Sequence, residues 1–150
     1  MTLLELLVTA SMILVIASVA MPLSRMSERR AKEIELRQVL REMRTAIDRF
    51  KIDWDNQRIS HSASDTANVE TGYPLNLEAL VKGAPSKGPS QKILRYLRRV
   101  PIDPLTRSPE WGTRCYEDES DSSISCGRDV YDVYSLSEES ALDGTKYRDW

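Results

Sequence analysis

Three groups of residues in this 150-residue chain could do chemistry. The first is Glu5, which stands alone in "MTLLELLVTASMILVIASVAMPLSR", a run with no other ionisable side chain before Arg25. A carboxylate in hydrocarbon costs about 2.5 to 3.5 kcal/mol on insertion scales, so its partner has to be found. The second is the pair Cys115 and Cys126, which enclose the polar stretch "YEDESDSSIS". Such a loop gives two thiols little reason to be buried, and an oxidising compartment would join them. A bridge over so short a loop contributes a little under about 3 kcal/mol in the chain-entropy model. Two unrelated thiols stay open on the residues alone. The third is the acidic segment "SLSEESALDGTKYRDW", which offers Ser137, Glu138, Glu139, Asp143 and Asp149 as oxygen donors around an Asp143–Gly144 turn.

Enzymatic chemistry has no support. The only histidine, His61, lies in the polar, aperiodic stretch "DNQRISHSASDTANVETG", where a solvated side chain is the ordinary reading. No nucleophile set, phosphate cradle or Cys/His metal spacing accompanies it. Carboxylates are plentiful, but no spacing singles out a catalytic pair. The net charge of -2 leaves no basic footprint for nucleic acid.

The elements that must position these groups are strongly patterned. From Leu6 to Leu23 every residue is uncharged, and a run of about 20 such residues crosses a hydrocarbon core of about 30 Å. One membrane span is therefore expected at residues 1–23. The helix should continue through residues 24–54, because Leu36, Val39, Leu40, Met43, Ala46, Ile47, Phe50 and Trp54 recur at helical spacing with charges of both signs between them. Pro22 should bend it. Residues 55–150 can bury one small core. There, "YPLNLEALVKG" reads as a short helix ended by Gly83, and "QKILRYLRRVPIDP" as a further helical turn stopped by Pro101. Trp111–Glu117 and Asp129–Leu136 read as two strands of a hairpin joined by the acidic loop.

The first cationic cluster, Arg25, Arg29 and Arg30, follows the apolar run, which by the positive-inside rule would leave the C-terminal domain in the cytoplasm. The cysteine pair argues for an oxidising compartment instead. A basic leader removed from ahead of residue 1 would reconcile the two, and that processing is expected.

The run "TLLELLVTASMILVIASVAMP", with Glu5 and Pro22, closely resembles the N-terminal signature of mature type IV pilins and type II secretion pseudopilins. "YPLNLEALV", "YLRRVPIDP", "VYSL" and Trp150 resemble the major pseudopilin of type II secretion systems. The chain departs from that pattern at Met1, where the family usually begins with Phe, and at "DPLTRSPEWG", where it commonly reads Asp-Pro-Trp-Gly.

The resemblance implies an α+β, type IV pilin-like fold, in which a long N-terminal helix packs on a small C-terminal domain with short helices and a small antiparallel sheet. It implies a structural subunit of a helical filament acting in secretion across the outer membrane, or else a pilin for adhesion or motility. A simple membrane-anchored exoplasmic domain is the further alternative. Its implied partners are copies of itself, minor pseudopilins, the inner-membrane assembly platform, a prepilin peptidase and, before assembly, the membrane. Its implied place is the inner membrane with the domain in the periplasm. Met1, Glu5 and Pro22 become assembly residues, Glu5 facing the methylated terminal amine of a neighbouring subunit. From the residues alone, Glu5 serving the amides and dipole of its own helix end stands level with that role. The family's C-terminal loop also implies calcium, for which Glu139, Asp143 and Asp149 are the candidate ligands.

Overall fold

The structure is a computed structural model that describes residues 2–60, 66–88, 92–119 and 125–150, with backbone only for 19–24. Met1 and His61 lie outside the described residues, and at Pro22 only the helical backbone is described. The architecture is α+β, with one long N-terminal helix, a short second helix and two small antiparallel sheets.

Helix α1 runs over Leu3–Asp55, 53 residues, so the helical reading holds at both of its halves. The chain divides into two compact units, Met1–Ile34 and Glu35–Trp150. Consequently the amphipathic part of α1 from Glu35 onward belongs with the small domain.

In that second unit the apolar stripe finds its cover. Leu36, Leu40, Met43, Ile47, Phe50 and Trp54 are all buried, in one cluster with Ile59, Leu80, Leu97, Val133 and Tyr147. Helix α2, Leu77–Lys82, starts where the Asn76 side chain accepts from the Ala79 N–H and stops at Gly83. Gly83 sits at φ +81°, and a Cβ there would lie 2.3 Å from the Leu94 carbonyl oxygen. Only glycine fits that turn.

Strand β1, Ala84–Pro85, pairs antiparallel with β2, Ile93–Leu94, in the register Ala84 to Leu94. This corrects the expected helical turn in "QKILRYLRRVPIDP". The amides of Tyr96 and Leu97 both donate to the Leu80 carbonyl at 3.0 and 3.1 Å, and the Tyr96 hydroxyl donates to Asp53 at 2.9 Å. Donors committed across the fold cannot close a local helix.

Strand β3, Gly112–Arg114, pairs antiparallel with β4, Asp132–Tyr134. The hairpin is therefore present but shorter than expected. Beyond Arg114 the amides turn to side chains: that of Cys115 donates to Asp118 and that of Tyr116 to the buried Asp129. A single 3-10 turn, Tyr147–Asp149, closes the fold and seats the buried Tyr147 ring against Trp150.

Among the described residues no helix is long and apolar enough to cross a membrane; the side chains of residues 19–24, which overlap the end of the span expected at residues 1–23, lie outside them.

Candidate assembly site

Glu5 lies in the first turn of α1. The helix begins on Thr2, whose carbonyl accepts from the Leu6 N–H at 3.2 Å and whose hydroxyl lies 3.4 Å from the Glu5 N–H. That is one half of a capping box, and the Thr-x-x-Glu spacing is a signal readable in the sequence that the reading of Glu5 passed over. No bond from the Thr2 amide to the Glu5 carboxylate completes it among the described residues. Among the described residues the exposed Glu5 carboxylate has no hydrogen-bond or ion-pair partner.

The side chains around it are apolar and uncovered. Leu3, Leu4, Leu6, Leu7, Met12, Ile13, Leu14, Val15 and Ile16 are each 61 to 81% exposed. Successive residues at about 100° per step point in all directions, so the exposed surface is a full apolar collar and not a stripe. The polar atoms of the collar are closed internally. The hydroxyls of Thr9, Ser11 and Ser18 donate to the carbonyls of Leu6, Val8 and Val15 at 3.0, 2.8 and 2.8 Å. Such a surface presents hydrocarbon and one carboxylate, a combination that water covers poorly and other apolar helices or lipid cover well.

The cysteine pair is joined: Cys115 and Cys126 form a disulfide with their Cα atoms 5.9 Å apart. The fit of calcium to Glu139, Asp143 and Asp149 is poor. Asp143 Oδ1 accepts from the Thr145 amide and hydroxyl at 2.9 and 2.6 Å, and Oδ2 faces the Arg37 guanidinium at 3.8 Å. Those bonds, the Thr145 hydroxyl first, hold the Asp143 carboxyl below the usual carboxylate range. The backbone around it is closed too, since the Ala141 amide donates to the Thr145 carbonyl and the Tyr147 amide to that of Glu139. Among the described residues, the trio with ligand atoms within 4.8 Å of one another is Cys115, Asp118 and Cys126, not the acidic three.

Sequence reasoning did not foresee an arginine-centred junction that pins α1 to the domain. Arg44 donates to Asp132 Oδ1 at 2.6 Å and to the Val133 and Trp150 carbonyls at 3.2 and 2.6 Å. The buried Arg114 reaches the same Asp132 at 3.5 Å and lies over the Tyr134 ring. Arg44 and Asp132 are 88 residues apart, and no local pattern marks such a pair.

No family model, curated protein or solved structure matches the chain.

Proposed function

We propose that this chain is the structural subunit of a helical filament of the type IV pilin-like kind, acting as a major pseudopilin in secretion across the outer membrane. One observation carries the reading: the start of α1, from Leu3 to Ser18, is an apolar collar, exposed on all sides, whose single carboxylate is left without a partner among the described residues. A surface of that kind calls for other helices like itself. The family resemblance of "TLLELLVTASMILVIASVAMP" supplies the arrangement, in which collars pack in a fibre core with the domains outside.

In this reading Glu5 pairs with the terminal amine of a neighbouring copy. Pairing replaces two uncompensated desolvated charges with one registered contact. Before assembly the uncharged run from Leu6 to Leu23 rests in the inner membrane with the domain in the periplasm, where the Cys115–Cys126 bridge is at home. A prepilin peptidase, minor pseudopilins and an assembly platform are the partners this life requires.

The test is Glu5→Ala in the full chain. Membrane insertion should persist, because a charge has been removed from an apolar run. Assembly should fail, because a buried amine without its counter-charge costs on the order of 3 to 5 kcal/mol. Co-expression with the parent should restore partial assembly, since the mutant still brings its own amine. Filaments of Glu5→Ala as abundant and as stable as the parent's would overturn the pairing.

A further inference from the structure

The loop between the cysteines is closed twice, and only one of the closures is made by sulfur. Cys115 is buried at the end of β3, and Cys126 is joined to it by the disulfide. Three residues after Cys115, Asp118 folds back so that one carboxylate oxygen, Oδ2, accepts from both cysteine amides, Cys115 N–H at 2.8 Å and Cys126 N–H at 3.2 Å. The Asp118 amide in turn donates to the Cys115 carbonyl at 3.2 Å. A single charged acceptor thus ties the two cysteine backbones together through bonds of the stronger, charge-assisted kind. The sulfurs take no part in them.

We infer that Asp118 is the positioning residue for the Cys115–Cys126 bridge: it holds the loop closed by backbone contacts, so the two thiols stay side by side when the disulfide is open. The inference is independent of the filament reading. Bringing residues 115 and 126 together ordinarily costs loop-closure entropy, which a disulfide must overcome each time it forms. When Asp118 has already closed the loop, the second thiol meets its partner at high effective concentration. The pre-closed loop favours the oxidised form.

The chemistry is thiol–disulfide exchange with a small disulfide such as oxidised glutathione. One cysteine thiolate attacks the glutathione disulfide and expels one glutathione thiolate, leaving a mixed disulfide. The second cysteine thiolate then attacks the protein sulfur of that mixed disulfide, forms the Cys115–Cys126 bond and expels the second glutathione thiolate. The two cysteine protons end on the two glutathiones, and both electrons of the oxidation go to them. Asp118 contributes to the second, intramolecular step.

The experiment is equilibration of the full chain, and of its Asp118→Ala and Asp118→Asn forms, in a series of glutathione redox buffers, with the linked fraction read by thiol alkylation and mass. Asp118→Ala should shift the equilibrium toward the dithiol by about tenfold, which for a two-electron couple is about 30 mV. Asp118→Asn, which keeps an acceptor but loses the charge, should fall between. Equal equilibria for all three chains would overturn the inference. Should Asp118→Ala fail to fold, hydrogen exchange on the reduced parent chain decides. The Cys115 and Cys126 amides should remain protected after reduction, and their exchange at unprotected rates would overturn the inference as surely.

Discussion

The two halves of α1 use the same residue types to opposite ends. Leu14 is 71% exposed and Leu40 is 2% exposed, though both are leucines in the middle of one continuous helix. In the second half the apolar residues recur on one stripe, and the chain itself supplies the cover in α2, β4 and the Tyr147 turn. In the first half they face every direction, and among the described residues nothing in this chain covers them. Periodicity therefore separates a helix that completes its own domain from one that needs copies or lipid. The domain half also carries arginines paired with carboxylates of the domain, Arg37 with Asp143 and Arg44 with Asp132, whereas the collar from Leu3 to Ser18 carries one carboxylate and no cation.

If that contrast is right, truncation of a side chain should affect different properties in the two halves. Phe50 is fully buried and meets the Tyr96 ring edge-on at 5.2 Å. Phe50→Ala should destabilise the domain by about 3 to 5 kcal/mol in urea unfolding. Ile13→Ala, in the collar, should leave that midpoint within about 0.5 kcal/mol and act on assembly instead. A large loss of domain stability from Ile13→Ala would break the comparison.

A smaller loss is expected at the arginine junction. Asp132→Ala strips the acceptor from Arg44 and from the buried Arg114 together. It should cost about 2 to 3 kcal/mol by the same measurement, since both arginines lose the carboxylate they share. A neutral result would mean that their other bonds, among them those to the carbonyls of Val133, Arg148 and Trp150, satisfy these arginines.

The smallest effect is a pH dependence. Burial, and then the bond to Asp53, push the Tyr96 phenol well above its ordinary 10.0. A raised folded pKa means a contribution that is complete below about pH 10 and lost as pH climbs from there toward the folded value. Tyr96→Phe should therefore cost about 1 kcal/mol at neutral pH. It should also flatten part of the alkaline fall in stability, read by thermal unfolding from pH 8 to pH 11. An unchanged alkaline slope would contradict the assigned bond.

What could be read from the sequence followed the range of the interactions. The long helix, the α2 stop at Gly83, the hairpin and the cysteine bridge were legible because each depends on neighbours within a turn, a strand or a short loop. The segment from residue 92 to 100 was misread as helix because its fate is set by a carbonyl on α2 and a carboxylate on α1, partners that local propensity cannot see. The surroundings of the expected calcium ligands were out of reach for the same reason. Glu139, Asp143 and Asp149 are close in sequence, but the 140–146 hairpin turns Asp143 to Thr145 and Arg37. Glu5 was legible as an anomaly, and Thr2 could have been seen as its N-cap.

The central claim is that the collar of α1 is covered by the collars of other copies. The most direct measurement is electron cryo-microscopy of the assembly purified from cells that express the full chain together with the secretion machinery of the proposed function. The expected result is a thin helical filament with the side chains of Leu3–Ile16 packed against one another in a dry core, Glu5 beside a neighbouring terminal amine, and the domains outside. Only monomers, or filaments held by their domains with the collar left in solvent, would contradict it.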